Sequence, residues 1–412
     1  MSIPVPEKRI ADFEKLGFGM FIHWGLYSQL GEGEWIMHLK NIPKEEYSKL
    51  KNTFTAKDFD AEKIAFTAKN AGMRYMTLTT RHHEGFSLYD TRGLSDYDAP
   101  HSPAGRDLVE EFIAACRKYG LVPMLYHTTL DWYDDRFETD FDAYLGYLRD
   151  SVEILCTEYG EIGGLWFDGN WSKPDADWQE DRLYSMIRRL QPNAMIINNT
   201  GLTARGEIGN AYLDSVTFEQ GRPEPMNRDG MKKYVAAEMC QTINDHWGYG
   251  KEDLNSKSVR ELIENLCACR KIGANYLLNV GPTPDGAITK LHEAILGEIG
   301  KWIKISGESV YLGRPTYIKG TGKDFALEYG NKIYFYIHNL GSIAAEQVVN
   351  GYEIQSGNRI FTGVGKKIKS VRYADSEEEL SFSQTENGRV EIDCTGYPYG
   401  KSLVVRIAEA EI

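Results

Sequence analysis

Eight short apolar runs, separated by helix-patterned or polar stretches, recur through the first three-quarters of the chain, and their spacing constrains the fold more than any other feature. They lie at 19–23 (GMFIH), 75–80 (YMTLTT), 122–127 (VPMLYH), 164–168 (GLWFD), 194–198 (AMIIN), 215–219 (SVTFE), 237–242 (AEMCQT) and 276–280 (YLLNV). Each run is continuously apolar rather than alternating, the mark of a strand covered on both faces in a parallel sheet. Helical periodicity fills 60–71, 105–118, 139–158, 176–190, 257–272 and 288–305, with Gly72 and Gly120 placed to end the first two helices. Eight such strands, most followed by a helix, predict a (β/α)8-like barrel of the TIM type rather than an open doubly wound sheet. The connection 199–214 reads as loop, so one helix is expected to be missing or stunted there.

The pattern changes near Arg314-Pro315. Beyond it come short strand-like runs broken by Gly330-Asn331 and Asn387-Gly388, both hairpin signals. The expected organisation is a catalytic barrel over 1–314 and a C-terminal β-sandwich over 315–412. With 412 residues, 42% apolar and 12% aromatic, the chain can bury cores of that size. No run approaches the ~20 apolar residues of a membrane span, and a formal charge of −13 argues against a nucleic-acid backbone as partner. The six cysteines follow no disulfide or zinc spacing. With no apolar leader at the N-terminus, the expectation is a cytoplasmic protein, and no feature specifies an oligomeric state.

Barrel enzymes place their chemistry at the C-terminal ends of the strands. Here those ends carry His23-Trp24, then Arg81-His82-His83-Glu84, Tyr126-His127, Asp168, Glu219 and Glu238, with Glu34-Trp35 and Asp245-His246-Trp247 in the loops. One chemistry compatible with this set is metal-assisted hydrolysis through the histidines. Adjacent histidines on a strand point to opposite faces, which disfavours a shared ion unless the strand has ended. The other is glycoside hydrolysis, which needs two carboxylates and an aromatic, hydroxyl-reading pocket. Trp24, Trp35, Trp166, Trp171 and Trp247 supply flat faces for sugar C–H groups, and histidines and glutamates supply directional hydrogen bonds. Asp168 ends an apolar strand and precedes glycine; Glu219 ends another strand 51 positions later, with Glu34 and Glu238 as rival acids. Trp166 reads equally well as barrel core. A non-catalytic carbohydrate-binding protein would keep the aromatics and histidines but lack one carboxylate.

Taken in order, GMFIHWGLYS, GEWIM, MRYMTLTTRHHEGFSLYDT, LDW at 130–132, LWFDG, DSVTFE, INDHWGYG and LLNVGPTPDG make the chain resemble the α-L-fucosidases of glycoside hydrolase family 29 over roughly 8–310. The resemblance implies a barrel followed by a sandwich, a fucosylated glycan as substrate, and retaining exo-hydrolysis without metal or organic cofactor. It implies Asp168 as nucleophile and Glu219 as acid/base. It assigns sugar binding to His23, Glu34, Trp35, His82, His83 and Tyr126, and places Trp166 and Trp247 against the fucose methyl group. One departure stands out. Members of the family often carry an arginine just after the fifth strand, whereas here the stretch is Ile196-Ile197-Asn198-Asn199-Thr200. Arg205, Arg222 or Asn199 is left to occupy that wall.

Overall fold

The computed structural model describes residues 3–199, 209–343, 357–398 and 403–412. Eight parallel strands form a closed barrel: β1 (Phe18–Ile22), β2 (Tyr75–Arg81), β3 (Val122–Thr128), β4 (Gly164–Asp168), β5 (Met195–Asn198), β6 (Ser215–Glu219), β7 (Ala236–Thr242) and β8 (Asn275–Val280). Each pairs with the next in chain order, and β8 closes on β1 through five residue pairs from Phe18–Tyr276 to Ile22–Val280. The continuous apolar runs have the cause anticipated: every residue of β1, β2, β7 and β8 is buried.

The anticipated helices form at Ala61–Asn70, Leu108–Tyr119, Phe141–Thr157, Glu180–Leu190, Val259–Lys271 and Lys290–Ser306. Local chemistry starts and stops them. The side chains of Asp60, Asp107, Asp140 and Ser258 accept hydrogen bonds from the first-turn amides, and Gly120 ends its helix in the left-handed region at φ 64°. A short helix at Lys8–Glu14 lay outside the sequence expectation. Of the 199–214 connection, 200–208 lie outside the described residues, and 209–214 contain no helix. The 220–235 connection between β6 and β7 is also helix-free, because Gly221, Pro223, Pro225 and Gly230 interrupt it too often for a helical ladder.

The ladder around the barrel is uneven. β6 and β7 are joined by five residue pairs, whereas among the described residues β5 and β6 share the pair Ile197–Ser215 and a backbone bond from Asp214 N to Ile196 O at 2.8 Å. Below that pair sits the buried Asp214. Its carboxylate accepts from Ile196 N (3.0 Å), Arg9 Nη2 (2.9 Å), Arg188 Nη2 (2.6 Å) and Lys233 Nζ (2.7 Å). Three cations hold this carboxyl below its ordinary range against the opposing effect of burial. The barrel interior is filled by Phe21, Met124, Tyr126, Trp166, Ile197 and Leu277, among others.

By internal contacts the chain divides into one compact unit, Met1–Lys257 with Ala274–Gly297, and a second, Ser258–Gly273 with Glu298–Ile412. The second contains an eight-stranded sheet of β9 (Arg314–Gly320), β10 (Phe325–Tyr329), β11 (Lys332–His338), β13 (Gly357–Thr362), β14 (Ser370–Tyr373), β15 (Phe382–Gln384), β16 (Val390–Cys394) and β18 (Val405–Glu411). β12 (Ser342–Ile343) and β17 (Tyr397–Pro398) form a separate pair. Its strands enclose a core that includes Phe335, Phe361, Val371 and Ile392, giving the β-sandwich expected. Gly330-Asn331 and Asn387-Gly388 turn β10 into β11 and β15 into β16. All six cysteines are unpaired and buried. Among the described residues no helix is long and apolar enough to cross a membrane.

Candidate active site

The C-terminal strand ends converge on a cavity of about 240 Å³. Nine of the ten sequence-predicted site residues line it: His23, Trp35, His82, His83, Tyr126, Trp166, Asp168, Glu219 and Trp247. Phe21, Trp171, Asn199 and Cys240 complete the wall. Glu34, the tenth, is absent from that lining; it is buried and accepts from Gly248 N at 2.8 Å.

Asp168 closes β4 and turns its carboxylate into the cavity. Gly169 follows at φ 123°, a conformation that L side chains rarely adopt, and an added Cβ would come within 2.5 Å of Leu130 N. Trp171 Nε1 donates to Asp168 Oδ1 (2.9 Å), Tyr126 Oη donates to Oδ2 (3.2 Å), and Asn199 Nδ2 approaches Oδ1 at 3.3 Å. Burial raises the Asp168 pKa, and these donors oppose the rise by favouring the carboxylate. Asn170 fixes the turn, accepting from Thr129 Oγ1 (2.7 Å) and donating to Glu180 Oε1 (2.8 Å). Every polar residue of the Asp168–Trp171 segment therefore serves to aim one carboxylate.

Glu219 faces it from the end of β6. Asn199 Nδ2 donates to Glu219 Oε2 at 2.6 Å, while Thr217 Oγ1 donates to Asn199 Oδ1 at 3.1 Å and sets which way the amide points. One nitrogen thus lies 3.3 Å from Asp168 Oδ1 and 2.6 Å from Glu219 Oε2, so those oxygens are no more than 5.9 Å apart, the sum of the two distances. A neutral amide, with two N–H donors, stands on the wall where the resemblance implied an arginine. Of the three alternatives left open by the sequence, Arg205 lies outside the described residues, and Arg222 is not part of the lining.

The histidines are held neutral and oriented. His23 Nδ1 donates to Asn279 Oδ1 (2.6 Å), whose amide nitrogen donates to Trp247 O (2.7 Å). His83 Nδ1 donates to Thr128 Oγ1 (2.7 Å), whose own proton goes to Leu130 O. Both tautomers leave Nε2 as an acceptor. His83 Nε2 lies 3.6 Å from Asp168 Oδ2. Burial drives the pKa of His23 and of His83 down to about 3, and holds that of His82 well below the ordinary imidazole value. β2 ends at Arg81, which frees His82 and His83 to turn toward the same cavity with ring centroids 4.1 Å apart. His82 Nδ1 is buried without a hydrogen-bond partner among the described residues, a polar atom for a ligand to satisfy. Among those residues no three His, Cys, Asp or Glu side chains form a metal-binding group.

Tyr126 stacks between His82 and Trp166, with centroids 5.7 Å from each. Trp166 is both barrel core and cavity wall: 2% exposed, its indole donates to Glu238 Oε1 at 2.9 Å. Glu238 also accepts from Tyr75 Oη at 2.5 Å, lies outside the cavity lining, and is pushed by burial up to about 7. Trp24, counted from the sequence among the sugar-facing aromatics, instead packs in the core against Phe59 (4.9 Å, 7° between planes). Glu84 accepts from the Leu26 and Tyr27 amides and from Tyr47, tying down the loop after β1.

A closed parallel barrel with two carboxylates facing one another in a small, aromatic, histidine-lined pocket at its C-terminal mouth has the architecture of a glycoside hydrolase. A family model described as Alpha-L-fucosidase matches residues 6–308, and the chain belongs to that family. Tissue α-L-fucosidase of Homo sapiens is 28% identical over 364 residues, covering 80% of this chain and 74% of that protein. The structure of α-L-fucosidase isoenzyme 1 from Paenibacillus thiaminolyticus superposes with a TM-score of 0.82 at 30% identity, covering 98% of both chains. A family 29 α-L-fucosidase from Bacteroides thetaiotaomicron, 24% identical with a TM-score of 0.84 over all of this chain and 96% of its own, shares the fold.

Proposed function

We propose that this protein is a retaining exo-α-L-fucosidase acting on fucosylated glycans. The observation that carries the mechanism is the Asn199 amide between Asp168 and Glu219. A limit of 5.9 Å on their facing oxygens lies nearer the roughly 5–5.5 Å of retaining enzymes than the roughly 6.5–9.5 Å of inverting ones. Asp168 attacks the anomeric carbon, and the C–O bond to the leaving group breaks as Glu219 gives its proton to the departing oxygen. The resulting fucosyl ester is opened by water, whose proton returns to Glu219 and whose oxygen bonds to the anomeric carbon, releasing Asp168. The small cavity, about the size of one sugar ring, supports exo-action on a terminal residue.

Selectivity follows from the same wall. Neutral His23 and His83 present acceptors to sugar hydroxyls, whereas Trp166, Trp247 and Phe21 offer apolar surface. A hydroxyl in place of the fucose methyl would lose its solvent partners there. The test is Asp168→Gly on 4-nitrophenyl α-L-fucoside. The expected result is near-complete loss of turnover, partly restored by azide, with fucosyl azide as product. Full activity in that variant, with no azide adduct, rejects Asp168 as nucleophile.

A further inference from the structure

Glu238 takes no part in the mechanism above, yet a carboxyl group at its position needs a reason. It stands on β7, fully buried and outside the cavity lining. The two side chains it binds, Tyr75 and Trp166, belong to the apolar filling of the barrel. Burying a carboxyl among them costs stability that an apolar side chain would not, so packing alone does not account for it. Both of its oxygens are in use: Oε2 accepts from Tyr75 Oη on β2 at 2.5 Å and Oε1 from Trp166 Nε1 on β4 at 2.9 Å. One side chain therefore ties together three strands, no two of which are neighbours in the barrel. β1 gives way to the arrangement: Gly19 pairs with Tyr75 in register, and a Cβ there would collide with the tyrosine ring.

An indole carries an N–H on one edge only, so the bond to Glu238 selects one of the two ways the flat Trp166 ring can be inserted. The ring so fixed stacks on Tyr126 at 5.7 Å with 20° between planes and meets Phe21 edge-on at 5.2 Å. Tyr126 in turn donates to Asp168 Oδ2 at 3.2 Å. We propose that Glu238 is a positioning residue for Asp168: by pinning the Trp166 indole it holds Tyr126 where its hydroxyl meets the carboxylate. The role rests on the fucosidase reading and adds to it a residue that touches no substrate. It asks for two hydrogen-bond contacts and not for a charge. A glutamine can accept from Trp166 through Oε1 and donate to Tyr75 Oη through its amide, whereas a leucine fills the space with neither. That separates positioning from proton transfer, the role of rival acid, for which an amide is useless.

The experiment measures kcat and kcat/KM of Glu238→Leu and Glu238→Gln on 4-nitrophenyl α-L-fucoside across pH, with thermal melting of each variant. Glu238→Leu should lose about tenfold or more in kcat, the worth of a misplaced hydrogen bond to a charged group. Tyr126 is one of the donors that favour the Asp168 carboxylate, so the acid limb of this variant should also move to higher pH, which a loss of stability alone would not cause. Glu238→Gln should restore kcat to within about threefold, with the acid limb back in place. Should the leucine variant not fold, Trp166→Phe, which keeps a ring but removes the indole N–H, must show the same displaced acid limb. A folded leucine variant, or in its place Trp166→Phe, with an unmoved acid limb overturns the proposal. So does a glutamine variant as impaired as the leucine one, since a proton rather than a position would then be at stake. Absence of turnover by the unaltered enzyme overturns the fucosidase reading, and the positioning role with it.

Discussion

Asn199→Ala removes one amide and thereby two hydrogen bonds, to Glu219 at 2.6 Å and to Asp168 at 3.3 Å. A hydrogen bond to a charged group is worth roughly 1.5–3 kcal/mol, about 10- to 150-fold in rate. The short bond to Glu219 should dominate, so kcat on an aryl fucoside is expected to fall into that range. A second readout separates catalysis from folding. Burial raises the Asp168 pKa, and Asn199 is one of the donors that oppose the rise. Removing it raises the pKa further, so the acid limb of the pH–rate profile moves to higher pH. Asn199→Asp should do so more strongly, because a third carboxylate at these distances meets roughly 5–6 kcal/mol of repulsion from each ionised neighbour at an effective dielectric of about 20, and a proton must be taken up instead. The assay is kcat and kcat/KM from pH 4 to 9, with thermal melting to verify folding. A folded alanine variant within threefold of the unaltered kcat, with an unmoved acid limb, refutes the bridging role.

Other consequences follow from the same geometry. Trp171→Phe keeps an aromatic wall but loses the donor to Asp168 Oδ1, so kcat should drop about tenfold with the acid limb again displaced upward. Glu219→Ala should cost far more on natural glycosides than on substrates with activated leaving groups; equal losses on both would point to another acid. Gly169→Ala sets a Cβ against Leu130 N at 2.5 Å and forces a side chain to φ 123°, with an expected loss of roughly 2–4 kcal/mol in unfolding free energy. Glu238 has a folded pKa of about 7 against an ordinary 4.5. The folded state therefore binds more protons between those values, and stability falls as pH rises through that window, by roughly 3 kcal/mol from this group. Glu238→Gln should flatten the pH dependence of the melting temperature between about 4.5 and 7; an unchanged slope would count against the assignment.

The barrel was legible because strands buried on both faces must be continuously apolar, and all eight runs became strands with ends shifted by no more than a residue. Asp168 and Glu219 were legible because a carboxylate ending an apolar run has little structural reason to be there. What stayed hidden depends on contacts across the barrel. Asn199 differs from Asn198 in no local feature, yet Asn198 turns outward to Tyr184 Oη (2.8 Å) while Asn199 reaches both carboxylates. Trp171 could be noticed but not explained, because its partner is the carboxylate three residues behind it. Trp24 looked like a sugar platform for being next to His23; it follows the end of β1 and points into the core. The helix-free 220–235 connection was not among the sequence expectations, although Gly221, Pro223, Pro225 and Gly230 interrupt any helical ladder there.

The sparse ladder between β5 and β6 has a mechanical consequence. The nucleophile stands on β4, on one side of that seam, and the acid/base on β6, on the other. Among the described residues a single register pair and one backbone bond, Asp214 N to Ile196 O at 2.8 Å, join β5 to β6, so the backbone holds the reactive gap lightly. Side-chain stitches add to it, Asp214 with its cations below and Asn199 above. Opening of the native barrel should therefore begin here, with amides of β5 and β6 exchanging with solvent before those of β1, β2 and β8. An occupied pocket, bridging Asp168 and Glu219 through the sugar, should slow that exchange, so that substrate binding acts on the barrel as a third stitch.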